Sequence, residues 1–504
     1  MIFKSFFKAF FCLCFSFLFL ACDLLNLNFT SGNTDVTDFP KNNNAELFSN
    51  EKVYQKGEKA SFYISVKSNM DDKNFCADFV LKESGEYCDV WYVEKDSNFM
   101  TENPLSSEVF TQVREEFDRI YPVQVQIFGD NKFSYTKWSN LLQKYDGKVN
   151  ILLYDIANDA SEYQNGGVYG FFHSLDFYNN SNYSNKTECI NIDSYFFKKD
   201  KEGALQTLFH EFQHLENFVN KVVLASENRS VSTWYNEMLS MLAEDIFTDL
   251  MNVDLKNAPA SRLNVFNAYY PLGFYKWRSE SNYYPFGDVY ISYANSYAFG
   301  SYLLRNFGGV SLIKEIAQND FVDEKSITEA LKSRGKNLTF SDVLLDFYQI
   351  LFESGYTLNK RFSEPLNGTV LNIKAIDLED FPADDRVQHF VYNDATLYSS
   401  KKFPVSAYSF SVYKNLYQYT VDDIQEKNEN LNYKVISSSS SSYLIKTNAT
   451  NLDILQGKSG YFNQYSVFLE EKESRGLCQE VFPVPENHVK RVEPVFDESY
   501  LLLK

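Results

Sequence analysis

Two of the five histidines in the chain, His210 and His214, lie four residues apart with Glu211 directly after the first. Residues four apart on a helix project from the same face, so both imidazoles can reach one metal ion. Glu211 lies one step further round the helix, where its carboxylate can contact a metal-bound water without ligating the metal. The spacing predicts a hydrolytic metal centre with Glu211 as the general base.

A metal that keeps one position open for chemistry needs a third protein ligand. Glu237 is the best candidate, on a second helix for which Ser232 or Thr233 is a plausible N-cap. Glu237, Ser240 and Glu244 share one face of that helix. We expect Glu237 to ligate one catalytic Zn²⁺. Glu244 is either the rival ligand or a carboxylate that orients a ligating imidazole.

The two histidines must be held by a rigid element. Residues 202–222 have the helical period, and their apolar residues form a stripe on the side opposite His210 and His214. The stripe consists of Leu205, Leu208, Phe212, Leu215, Val219 and Val222. We expect the helix to be anchored through this apolar face and to present the histidines on the other.

The pattern upstream is typical of an α+β unit. Alternating runs between residues 60 and 93 predict short strands, and Ser106–Ile120 has helical spacing. Val149–Ile156, Gly166–Phe172 and Glu188–Asp193 predict three further strands. Gly166–Phe172 either pairs with an extended substrate as an added strand or uses its glycines only to make a turn.

After about residue 359, alternating aromatic and aliphatic runs replace the helical period and predict an all-β, sandwich-like domain. The predicted organisation is a signal peptide (1–21), a flexible tether (22–50), a small N-terminal β element (51–95), a catalytic domain (96–358) and the C-terminal β domain (359–504).

The N-terminus predicts export. Lys4 and Lys8 precede an apolar run that is too short for a durable membrane span. The run ends at Phe19–Cys22, which resembles a bacterial lipobox and implies acylation of Cys22. We therefore expect a lipoprotein of the bacterial cell envelope, periplasmic or surface-exposed, that is held at the membrane by its lipid. An ordinary cleaved signal and an uncleaved anchor are the alternatives.

Four further cysteines would remain in the exported chain: Cys76, Cys88, Cys189 and Cys478. An oxidising compartment permits disulfides among them, with three possible connectivities. Cys76 and Cys88 are close enough in sequence to staple a hairpin. The formal net charge of −19 argues against nucleic acid as a partner, because nucleic-acid binding needs a basic face.

The HEFQH helix followed by Trp234–Glu237 resembles the gluzincin metallopeptidases, most closely the hyicolysin-type family. The similarity continues through VNILLYDI, GGVYGFF, the INID strand and WYNEMLSMLAED in the same order, and covers roughly residues 106–354. It implies a thermolysin-like catalytic domain that hydrolyses peptide bonds of extracytoplasmic proteins or peptides. The alternative is a catalytically inactive, lipid-anchored adhesin or binding protein on the same fold.

The resemblance also implies residue roles. His210, His214 and Glu237 match the family's zinc ligands, and Glu211 matches its general base. Thermolysin has an Asp four residues after its ligand Glu, where this chain has Met241, so the residue that orients a histidine must be another, and Glu244 is available. A tyrosine that donates to the oxyanion in the aminopeptidase branch matches Tyr293, although that tyrosine-rich stretch could also serve only for packing.

Overall fold

A computed structural model of the chain describes two groups of residues. The first group covers 45–67, 72–95, 100, 104–156, 168–254, 257–278 and 289–353. The second covers 357–358, 362–366, 368–377, 380–381, 392–393, 404–415, 429–437, 442–452, 454–455 and 465–466. The predicted signal peptide, most of the tether, Cys22 and Cys478 lie outside the described residues.

A mixed sheet of six strands forms one layer of the protein. The strands are β1 (Lys59–Lys67), β2 (Asp72–Ser84), β3 (Cys88–Val93), β4 (Val149–Tyr154), β5 (Gly170–Phe172) and β6 (Cys189–Asp193). Their order is β1-β2-β3-β4-β6-β5. Strands β3, β4 and β6 run parallel, whereas β5 lies antiparallel to β6 at the edge. Every residue of β4 is buried, as expected for an apolar run with both faces covered.

The N-terminal β element is continuous with this sheet. The strands predicted between residues 60 and 93 are present, and Val90 of β3 pairs in register with Ile151 of β4. Five of the six residues of β3 are buried, so both faces of this strand are covered, and it pairs with β2 on one side and β4 on the other. Residues 51–95 therefore contribute strands to the same sheet as β4 instead of forming a sheet of their own.

The disulfide between Cys76 and Cys88 that their closeness in sequence would allow is not formed. The register pairs Phe79 with Val93 and Ser84 with Asp89, which places the two cysteines at opposite ends of the β2–β3 hairpin. Cys76, Cys88 and Cys189 all carry thiols. Closeness in sequence was misleading because β2 is a long strand of 13 residues.

Nine α-helices lie in the described residues: α1 (Ser107–Phe128), α2 (Phe196–Lys199), α3 (Lys201–Phe218), α4 (Thr233–Phe247), α5 (Leu263–Tyr269), α6 (Val289–Tyr302), α7 (Gly309–Gln318), α8 (Asp323–Ser333) and α9 (Phe340–Glu353). The α+β prediction is thus confirmed. Within the described part of the chain, no helix has both the length and the apolar character needed to cross a membrane.

Helix α3 carries the two histidines. The side chain of Asp200 caps it by accepting from the backbone N–H of Gly203 at 3.0 Å. Contrary to the expectation of a single anchored face, every residue from Gly203 to Phe218 is buried. The reason is that β5 and β6 cover one side of α3 while α1 and α4 cover others.

Strands follow the helices in the described part of the C-terminal region. They are β7 (Thr357–Leu358), β8 (Phe362–Leu366), β9 (Thr369–Ile373), β10 (Ile376–Asp377), β11 (Tyr392–Asn393), β12 (Pro404–Val405), β13 (Ser409–Asn415), β14 (Asn432–Ser437), β15 (Ser442–Asn448), β16 (Ile454–Leu455) and β17 (Tyr465–Ser466). Five of them form a sheet in the order β14-β15-β13-β11-β17.

This C-terminal sheet packs directly on the helices. The ring of Phe410 stacks on Tyr270 at 4.3 Å and on Tyr348 at 3.7 Å, measured between ring centroids. Gly273 adopts a positive φ of 67°, and a Cβ there would lie 2.1 Å from the carbonyl oxygen of Ala407. Only glycine allows this approach, so the helical region and the C-terminal sheet meet at close range.

A buried ion pair ties α4 to the turn after α6. Arg305 Nη1 and Nη2 donate to the two carboxylate oxygens of Asp245 at 2.5 and 2.8 Å, and both side chains are nearly inaccessible to solvent. Tyr297 Oη also donates to Asp245, at 3.0 Å. Such a pair is worth little against an apolar replacement, but removing one partner leaves a buried charge uncompensated.

We therefore expect Asp245→Asn to lower the free energy of unfolding by about 3–5 kcal/mol, as measured by urea denaturation. A matched control is Glu329→Gln, which breaks the exposed pair between Glu329 and Lys332, whose Oε2 and Nζ atoms are 3.3 Å apart. That control should cost less than about 1 kcal/mol. Equal effects of the two substitutions would contradict the structural importance of the buried pair.

Candidate metal centre

The centre forms where α3 packs against α4. His210, Glu211 and His214 each offer a ligand atom within 4.8 Å of the others, and all three residues are buried. The helix presents them together because positions 210, 211 and 214 lie on adjoining faces of one α-helix. This is the grouping that the histidine spacing predicts.

Glu237 on α4 completes a set of three donors. Its Oε2 lies 3.2 Å from His210 Nε2 and 3.5 Å from His214 Nε2. Ligands about 2.0–2.1 Å from a tetrahedral zinc lie about 3.3 Å from one another. The observed separations match this geometry, and two nitrogens with one carboxylate are a donor set that zinc accepts. The residues present therefore fit a three-ligand zinc site.

Glu244 contacts the other nitrogen of the first histidine. Its Oε1 lies 2.6 Å from His210 Nδ1, on the side of the ring away from Glu237. Arg262, in a 3₁₀ turn before α5, approaches the same carboxylate at 3.3–3.5 Å. Burial raises the pKa of Glu244 to about 7, and the guanidinium of Arg262 opposes this rise. The position suits a carboxylate that orients an imidazole.

The second histidine has a different neighbour. Ser240 Oγ lies 3.1 Å from His214 Nδ1 and 2.5 Å from Gln213 Oε1. Because Glu237, Ser240 and Glu244 lie on one face of α4, each reaches a histidine of α3. Both Nδ1 atoms are therefore engaged, and both Nε2 atoms point toward Glu237.

Glu211 contacts the edge of the sheet. The backbone N–H of Phe172 on β5 donates to Glu211 Oε2 at 2.9 Å. Strand β5 can come this close because residue 170 is glycine. A Cβ at Gly170 would lie 2.8 Å from Asn191 O and 2.8 Å from Thr207 Cγ2. Thr207 lies on α3, one helical turn before Glu211. The candidate base, the edge strand and the metal donors thus form one site.

Tyr293 is the fifth residue of α6, a helix that packs against α4 and against the 3₁₀ turn that carries Arg262. Its side chain is buried, and its ring makes an edge contact with Trp277 at 4.8 Å between centroids. The packing interpretation of this tyrosine is thus supported by a contact. Its role as an oxyanion donor stays a prediction.

Three residues near the donors had no role in the sequence interpretation. Arg262 gives no sequence signal, since it lies 18 residues after Glu244 in an irregular segment. Gln213 lies inside the histidine motif but at a position that the motif leaves open. Ser240 was placed on the correct face of α4 by its spacing, and that spacing was the available signal for it.

The paired helices, with two histidines and a glutamate converging from them, match the HExxH pattern with a downstream glutamate. The family model of peptidase M30 matches residues 87–354, which is more than half of the chain. The chain therefore belongs to the peptidase M30 family, and the resemblance to the hyicolysin-type peptidases is confirmed.

A curated relative supports the same conclusion. The chain is 29% identical over 284 residues to the neutral metalloprotease ShpI of Staphylococcus hyicus. The matched part is 54% of this chain and 56% of the relative, so the chain spans about half the length of the relative it matches.

Measurements of zinc affinity can distinguish the roles of the two glutamates of α4, Glu237 and Glu244. Glu237→Gln removes a carboxylate from the donor set and should nearly abolish zinc binding. Glu244→Gln leaves the donor set intact and only replaces the charged acceptor of His210 Nδ1 by a neutral amide, so we expect the affinity to fall by about 10–100-fold. Equilibrium dialysis against a competing chelator measures both. The reverse ranking would assign the third ligand to Glu244.

Proposed function

We propose that the protein is a zinc-dependent peptidase that hydrolyses peptide bonds of extracytoplasmic proteins or peptides. The observation that carries this proposal is the convergence of His210 Nε2, His214 Nε2 and Glu237 Oε2 beside the carboxylate of Glu211. A site that served only to hold a metal would not need the additional carboxylate of Glu211 within reach of the donors. Membership of a peptidase family supports the same reaction.

Zinc, when bound, supplies a Lewis acid that polarises the scissile carbonyl and acidifies a water molecule. Glu211 acts as the general base, taking a proton from the attacking water and passing it to the leaving amine. The N–H of Phe172 holds Oε2 of Glu211 and so limits the directions in which that carboxylate can move. Tyr293 donates a hydrogen bond to the developing oxyanion in this scheme.

The substrate lies along strand β5 in this proposal. The N–H of Asp193 donates to Tyr169 O at 2.8 Å, so the backbone groups of the next residue, Gly170, point away from β6. The N–H of Phe172, two residues further along β5, also points away from β6 and donates to Glu211. Since β5 is the last strand of the described sheet, its outward carbonyls can accept from an extended peptide that adds as a further strand.

We further infer a thermolysin-like arrangement for the catalytic region, whose sheet also includes strands β1 to β3, followed by an all-β C-terminal domain (359–504). The parallel strands before α3, the α3–α4 pair and the later helix α6 support the first part. The described strands from β7 to β17 support the second.

Substitution of the general base and substitution of a metal ligand should affect zinc content differently. Glu211→Gln should retain about one zinc per chain, because it removes no ligand, and should lose hydrolysis by at least about 10²-fold. His214→Ala should lose both the metal and the activity. Zinc is measured by elemental analysis and activity on an unfolded protein substrate.

The same measurements decide between the two functions. Hydrolysis at the wild-type rate by Glu211→Gln would show that another group is the base. A wild-type protein that binds zinc but cuts no substrate would favour a lipid-anchored binding protein or adhesin instead.

We also propose that the chain is attached to the membrane of a bacterial envelope through acyl chains on Cys22. The apolar run before this residue is short, and durable anchoring needs two or more acyl chains. Cys22→Ser should therefore abolish incorporation of a fatty-acid probe in cells. Equal labelling of the variant and the wild type, or no labelling of the wild type, would make a secreted peptidase the better hypothesis.

A further inference from the structure

The metal centre contains a short chain of hydrogen bonds that ends on its second histidine. Ser240 Oγ lies between Gln213 Oε1, at 2.5 Å, and His214 Nδ1, at 3.1 Å. Ser240 and Gln213 are fully buried, and His214 is only 3% exposed. Bulk water therefore does not compete for the hydroxyl, and its single proton points to one of these two neighbours.

The chemistry of the three groups sets the direction of the chain. An amide oxygen only accepts hydrogen bonds, so the hydroxyl proton of Ser240 points to Gln213 Oε1. The lone pairs of Oγ are then left for His214, and Nδ1 must carry a proton to complete the second bond. His214 Nδ1–H thus donates to Ser240, and Ser240 O–H donates to Gln213.

This tautomer is the one that can bind a metal through Nε2. A neutral imidazole has one N–H and one nitrogen with a free lone pair, and only the latter ligates. With the proton on Nδ1, the lone pair of His214 Nε2 faces the donor set, 3.5 Å from Glu237 Oε2. The opposite tautomer would direct an N–H at the ion.

We propose that Ser240 and Gln213 are positioning residues that hold His214 in the Nδ1–H tautomer before the metal arrives. The metal side of this inference rests on the proposed function, whereas the tautomer is a property of the protein alone. A hydroxyl can donate or accept, so Ser240 becomes an acceptor for His214 only because Gln213 takes its proton. This gives Gln213, at an open position of the histidine motif, a defined task.

The two histidines are oriented by different devices. His210 Nδ1 meets the carboxylate of Glu244, which accepts directly and needs no relay when it is ionised. His214 meets a hydroxyl, whose polarity depends on a third residue. If the amide of Gln213 were reversed, its Nε2 would donate to Ser240, and the hydroxyl proton would point to His214 Nδ1. The tautomer of His214 therefore separates the two arrangements.

That tautomer can be read directly by NMR in the full chain, metal-free and labelled with ¹⁵N-histidine. The chain has five histidines, so His214→Gln identifies the signal. We expect the wild type to be protonated at Nδ1 and Ser240→Ala to lose this single tautomer. Ser296→Ala is the control, because Ser296 is a buried serine on α6 whose hydroxyl has no hydrogen-bond partner among the described residues. Wild-type His214 protonated at Nε2 would overturn the proposal.

Zinc affinity by chelator competition is the second readout. Ser240→Ala and Gln213→Leu should each bind zinc about 10–100-fold more weakly. Gln213→Glu should keep the wild-type affinity, because a carboxylate still accepts from the hydroxyl. Ser296→Ala should not change it. Wild-type zinc affinity in Ser240→Ala would contradict this inference. Hydrolysis by the same variant would show that the proposed peptidase function holds even if the inference fails.

Discussion

The contact between α3 and α4 is the constraint on which the rest of the structure depends. It brings two imidazoles and two carboxylates into a space that is almost closed to solvent. Buried polar groups are costly unless each finds a partner, so this contact tolerates very few side-chain arrangements. The histidines face Glu237 through one nitrogen and Glu244 or Ser240 through the other. The donor set is thereby assembled by the packing of the core.

The buried carboxylates of α4 also require positively charged partners from other parts of the chain. Glu244 is buried against His210, and Arg262 approaches from a separate turn to offset its charge. The next residue of α4, Asp245, points to the other side and pairs with Arg305. Two neighbouring carboxylates of one helix are thus matched by two buried arginines from different parts of the chain. These two pairs fix the orientation of α4 about its own axis. Glu237 therefore stays in contact with both histidines.

The sheet contributes through its edge. Strands β3, β4 and β6 form its buried centre, whereas β5 is short and lies against α3 at Gly170. That contact places a backbone N–H of the edge strand on Glu211. A catalytic carboxylate and an open strand edge are therefore side by side, which suits a reaction on an extended peptide bond. The N-terminal strands support this arrangement because they lengthen the sheet on its far side.

The sequence by itself determined what depends on spacing within one element. Helical geometry places His210, Glu211 and His214 together, and it aligns Glu237 with Ser240 and Glu244, wherever the helix packs. The helix and strand periods and the family resemblance followed from the same local patterns, and each predicted strand or helix in the described residues is present with shifted ends.

Only the tertiary structure decided which elements meet. Arg262 on Glu244, the Phe172 N–H on Glu211 and the parallel pairing of β3 with β4 all join segments that are distant in sequence. The complete burial of α3 was also beyond the sequence pattern, since a polar residue on a helix face does not say whether water or another helix covers it. Such contacts are set by the burial of the whole chain at once, whereas local periodicity reports only one element at a time.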